Sequence, residues 1–189
     1  IAEYQDPNIQ LPMYITAYRT PSNKTRDARV LDMVSSILTG GKSSRLYKKL
    51  VDQDKMAMQV SAFNFSQEDY GMYLILDIPM PGFTREQLQK VIDAEIVDLQ
   101  TNLISERDYQ KLQNEFENNY VNSNSNLESL AENLATNYLL MGDINLINEE
   151  INIYRSITRE EIREVAKKYL QPNARLLLDY VPVKEEAAN

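Results

Sequence analysis

The side chains able to do chemistry in this chain are carboxylates, cations and phenols: 28 Asp and Glu, 20 Lys and Arg, and 12 Tyr, with no His, Cys or Trp. Without His there is no imidazole base and no Ser–His–Asp triad. Without Cys there is no thiolate nucleophile, no Cys–His zinc site, no disulfide and no iron–sulfur cluster. A metal would need oxygen ligands. The spacings that come nearest to a motif fail at a defining position. Gly41-Lys42-Ser43 has the tail of a phosphate-binding loop, but Ser36 stands where that loop needs its first glycine, and the preceding segment reads as a helix instead of a strand. Asp52 and Asp54 could open a calcium loop, yet its turning position is Ala57. Glu115 and Glu117, Glu149 and Glu150, and Glu160, Glu161 and Glu164 fall in predicted helices, where first-turn charge and pairing with Lys or Arg account for them. Tyr14, Tyr18, Tyr73 and Tyr180 fall in predicted strands and read as packing residues with a wet hydroxyl. No residue of this chain is assigned a catalytic, cofactor-binding or metal-binding role.

The elements that would position any site follow from periodicity. Leu11–Tyr18 is β-branched and aromatic, a strand. Val30, Leu31, Val34, Ile37 and Leu38 recur at helical spacing, and Gly40-Gly41 ends that helix. Ser43 or Ser44 starts a second helix through Leu46, Tyr47 and Leu50. Met56–Phe65 alternates, with Met56, Met58, Val60, Ala62 and Asn64 on one side; with Met72–Pro79 it makes an antiparallel hairpin. Thr84 with Gln87, Ser105, and Thr158 with Glu161 mark helix starts. Leu127, Leu130, Leu134, Tyr138 and Met141 trace another helix beyond an Asn/Ser-rich joint, and Leu146–Tyr154 reads as helical. Arg175–Pro182 is a final strand. The expected fold class is α+β: an antiparallel or mixed four-stranded sheet with several helices packed on one face. Residues 1–10 read as an incoming linker, 11–183 as a single domain and 184–189 as a polar tail.

A net charge of −8 disfavours nucleic acid and anionic membrane surfaces as partners. No apolar run approaches the ~18 residues of a membrane span. The chain begins at Ile1 with no basic-then-apolar leader and reads as a processed or excised piece.

Three blocks in order, Ala17-Tyr-Arg-Thr-Pro21, Asp27-Ala-Arg-Val-Leu-Asp-Met33 and Gly40-Gly-Lys-Ser-Ser-Arg-Leu-Tyr47, followed by Leu103–Tyr109 and Leu170–Leu176, carry a resemblance over nearly the whole chain. They resemble the second, non-zinc domain of inverzincin metallopeptidases of the pitrilysin, insulinase and mitochondrial-processing-peptidase family, in its bacterial form. That resemblance implies a zinc site on the preceding domain, in a His-x-x-Glu-His helix, and this chain, lacking His, cannot be that domain. It implies a half-domain of a zinc endopeptidase that walls the substrate cleft and contacts another domain or subunit. The alternative of the same fold is a catalytically inactive assembly subunit. No cofactor is expected in this chain; zinc is expected upstream. The implied partners are its own zinc-binding domain, a homologous subunit or half, and a peptide substrate. An exported, periplasmic location is implied, with the cytoplasm left open. Cleaving members of the family place an Arg and a Tyr seven residues apart after the Gly-Gly block, to hold the substrate and steady the transition state. Those positions here are Val51 and Met58, and neither can donate the hydrogen bond. The departure leaves open how the site is completed; two-subunit members of the family offer one answer, a homologous partner subunit or half that carries the Arg/Tyr pair.

Overall fold

The computed structural model describes residues 1–183. Its centre is a five-stranded sheet in the order β1-β5-β2-β4-β3. The strands are β1 (Ala2–Asp6), β2 (Met13–Pro21), β3 (Ala57–Ser66), β4 (Tyr70–Pro79) and β5 (Arg175–Pro182). β1 runs parallel to β5, and the other neighbours are antiparallel, so the sheet is mixed. The α+β class stands. The strand number and the incoming linker are corrected: Ala2–Asp6 is an edge strand, in register with β5 from Ala2 opposite Leu178 to Asp6 opposite Pro182. Ala-Glu-Tyr-Gln-Asp has no buried face, which is why alternation could not find it. What holds it is backbone pairing plus two side chains, Tyr4 stacked on Tyr180 with ring centroids 5.5 Å apart and Asp6 accepting from the Tyr180 hydroxyl. The expected polar tail, 184–189, lies outside the described residues.

The helices are α1 (Arg26–Thr39), α2 (Tyr47–Gln53, wound as a π-helix), α3 (Arg85–Thr101), α4 (Glu106–Ser123), α5 (Leu127–Thr136, continued by a π-helical turn, Asn137–Met141), α6 (Leu146–Ser156) and α7 (Arg159–Tyr169). α1, α3 and α7 form the layer against the sheet, and α4 and α6 pack chiefly on α1 and on each other. The apolar stripe read from sequence on α1 is the core: Leu31, Val34 and Leu38 are fully buried, against Tyr73 and Ile75 of β4 and Leu88 and Ile92 of α3. Each such side chain stabilises the fold by roughly 1.5–3 kcal/mol relative to exposure.

Polar struts then lock the helices in register. Arg26 donates to both carboxylate oxygens of Glu161, at 2.7 and 3.1 Å, and Lys168 and Tyr169 both donate to Asp27, tying α1 to α7. Gln100 on α3 donates to the carbonyls of Ala166 and Leu170, tying α3 to the end of α7. The capping box at Thr158 and Glu161 forms in both directions, at 3.2 and 2.9 Å.

Candidate functional site

The Gly-Gly block builds a corner. At Gly40 a Cβ would meet the Ser36 carbonyl oxygen at 2.5 Å, so α1 can end there only on glycine. Gly41 follows with φ +79, left-handed backbone. Ser44 is buried and its hydroxyl donates 2.7 Å back to the Gly41 carbonyl, while Arg45 pairs with Asp98 and Leu46 is sealed in the core. The block's polar residues are therefore spent on turning the chain and anchoring α2. The segment before the block is helix α1, where a phosphate-binding loop needs a strand.

Beyond the corner, three irregularities fall within a few residues. α2 is wound with an extra residue per turn, and Val51 lies in it, half-buried against the core. Lys55 takes φ +50, a left-handed conformation costly for a side chain with a Cβ. The start of β3 then carries a bulge: Ala57 pairs with Pro79 and Gln59 with Ile78, leaving Met58 as the extra residue, 51% exposed. This corrects the alternation expected for β3, which placed Met58 with Val60 on one face. The bulge turns Met58 outward while Ala57, Val60 and Ala62 stay buried. π-turns, bulges and left-handed residues gather at functional sites, where they aim side chains. Here they aim an isopropyl and a thioether, at the two positions where the resemblance expects Arg and Tyr.

The sheet has two unlike faces. The helices cover one face; the other carries Ile15 of β2, Phe63 and Phe65 of β3, Met72 and Leu74 of β4, and Leu176 of β5. They line up across the strands, Phe63 opposite Leu74, Phe65 opposite Met72 and Ala17 opposite Leu176, and none belongs to the core. The cation on this surface is Arg19, 5.4 Å over the ring of Tyr70, at the edge of a groove floored by Ala17, Met72 and Leu176.

The chain's buried polar groups lie on the opposite, helix-facing side. Arg85 is buried, pairs with Asp179 and sits 4.7 Å over the ring of Tyr14. Thr16 donates to Gln89 at 2.7 Å, and Arg175 pairs with Asp93. Asp77 is enclosed among them: burial pushes its carboxyl up to about 7 against the pull of Arg85. Asp32, likewise buried, is pushed up to about 6 and accepts from Asn64 at 3.3 Å and Tyr154 at 3.0 Å. Both carboxyls face packed helices. Tyr18 and Tyr73 pack in the core, but the wet hydroxyl expected of them is corrected: the Tyr73 hydroxyl is enclosed with no hydrogen-bond partner among the described residues. Among the described residues no three His, Cys, Asp or Glu side chains gather to hold a metal ion. The donor set does not fit zinc.

Residues 2–116 match the family described as the peptidase M16 inactive domain. The chain belongs to that family. As an M16 inactive domain it is the non-zinc, C-terminal domain type. It is 28% identical over 163 residues to the zinc protease PqqE of Helicobacter pylori, a match covering 86% of this chain and 36% of that protein. The fold superposes on the crystal structure of a protease from Helicobacter pylori with a TM-score of 0.87 at 23% identity, over 95% of this chain and 43% of that one. It superposes on the periplasmic protease PqqL from Escherichia coli with a TM-score of 0.75 at 15% identity, over 96% of this chain and 20% of that one. The M16 inactive domain thus spans less than half the length of these relatives. No helix among its described residues is long and apolar enough to cross a membrane.

Proposed function

We propose that this M16 inactive domain forms one wall of a substrate chamber, its open sheet face turned toward a zinc site carried by another domain. The observation that supports the reading is that face itself. A row of Phe63, Phe65, Met72, Leu74 and Leu176 left in water would be a large apolar patch for a domain working alone. Facing a peptide across a cleft, the same row supplies apolar contact without sequence demands. The zinc site would come from the preceding domain, and the Arg/Tyr function, absent at Val51 and Met58, from a homologous partner subunit. A periplasmic site of action is part of the proposal, supported by the likeness to PqqL.

Phe63→Asp and Leu176→Asp in the full-length protein test the wall. Each sits on an exposed position, so folding survives, but a charge in the wall should lower kcat/KM for an apolar peptide by roughly tenfold with zinc content unchanged. Unchanged kcat/KM in both variants would contradict a wall at this face. The loss of hydrogen-bonding side chains at Val51 and Met58 also favours a second reading, an inactive assembly subunit. A full-length sequence without an upstream His-x-x-Glu-His motif would select it.

A further inference from the structure

The helical side of the molecule carries a second apolar surface without a partner. α5 buries none of its residues. Leu130 and Leu134 are half-buried, and the chain's hold on the helix includes Asn133, whose amide donates to the Ser123 carbonyl and the Asn124 side chain. Its outer stripe, Leu127, Ala131, Ala135 and Tyr138, repeats at helical spacing and is extended by Leu139. Leu127, Tyr138 and Leu139 are 84%, 67% and 74% exposed. Scattered exposed leucines are ordinary, but a helix whose whole outer stripe is apolar is presenting it to something.

The charge around the stripe says what. Between Lys111 and Arg155 the sequence contains no Lys or Arg, while Glu128 and Glu132 run along the stripe one turn apart. We infer that this ledge docks a separate protein chain whose contact surface is apolar and rimmed by Lys and Arg. A second copy paired stripe to stripe fits badly, because it would set Glu128 and Glu132 against their own counterparts. Anionic lipid is repelled for the same reason. The preceding zinc-bearing domain is already committed, on the reading proposed above, to the open face of the sheet, whereas α5 is held on the end of α4 by Asn133. The occupant is then a molecule other than this chain and its zinc-bearing domain, for which the acidic rim gives steering and register and the Leu/Tyr stripe gives affinity.

The test uses the full-length protein and two synthetic helical peptides that share a leucine stripe, one flanked by lysines and one by glutamates, with affinity read by fluorescence anisotropy. The lysine-flanked peptide should bind roughly tenfold tighter. Leu127→Ser combined with Leu139→Ser, both on exposed positions, should remove most of that binding. Glu128→Lys combined with Glu132→Lys should reverse the preference between the peptides. Phe63→Ser combined with Phe65→Ser should leave it unchanged. Binding that survives the Leu127/Leu139 pair overturns the inference. Binding lost only in the Phe63/Phe65 pair also overturns it, and would place the contact on the sheet face instead. A dimer in sedimentation that the Leu127/Leu139 pair dissociates would show that the occupant is a second copy, and overturns it too.

Discussion

Asp77 is shut between the sheet and α3, and its burial has a sign that can be followed. In the unfolded chain it titrates near its ordinary value of 3.8, and in the fold it holds its proton to about 7. Between those values the native state binds a proton that the unfolded state has released. The group's contribution is full below about pH 3.8 and is lost as pH rises through about 7. Asp77→Asn mimics the protonated form. It should match the parent near pH 4 and exceed it by about 4 kcal/mol at pH 8, measured by urea unfolding. A constant difference across that range would mean that Asp77 is not titrating in the fold. Lys55 gives a second residue-scale outcome. Its φ of +50 suits glycine, so Lys55→Gly should raise stability by up to about 1 kcal/mol despite the entropy that glycine adds to the unfolded chain. A loss of stability would argue against strain at that turn. The replacements at Val51 and Met58 are legible in sequence because residue identity alone shows a lost donor. The setting of Met58 is not: Met56, Met58 and Val60 alternate cleanly as letters, and the bulge exists only once Ala57 and Gln59 have found Pro79 and Ile78 on β4.

Helices were the most readable elements, because their signals are local. The Thr158–Glu161 box and the stripe of α1 appear in the fold where the sequence puts them. Thr158→Ala should cost about 1 kcal/mol, visible as a lowered Tm, since the Glu161 amide loses its acceptor. Leu46→Ala, at a fully buried position of the Gly-Gly block, should cost roughly 2–5 kcal/mol. A near-neutral Leu46→Ala would mean that the block is not the anchor described. Strand β1 was unreadable for the converse reason. An edge strand needs only a backbone to pair with, and Tyr4 finds Tyr180 across a separation that no local pattern encodes. The π winding of α2 is also silent in sequence. Tyr47–Gln53 shows ordinary helix formers, and the wider turn emerges where Leu50 must reach the core between a fixed glycine corner and a bulged strand.

At the scale of the molecule, the absence of His and Cys acquires a location. The domain spends its carboxylates and cations on struts between helices, keeps its enclosed carboxyls on the helix-facing side of the sheet, and leaves the opposite side apolar. Such a body offers apolar contact surface on both sides, which suits the wall proposed above. The most direct measurement of this division of labour is peptide hydrolysis and zinc content of the 189-residue chain and of the preceding domain, each expressed alone and then recombined. The expected result is zinc on the preceding domain, none held stoichiometrically by this chain, and cleavage by the recombined protein that this chain alone does not show. Stoichiometric zinc on this chain, or peptide cleavage by it in isolation, would contradict the account.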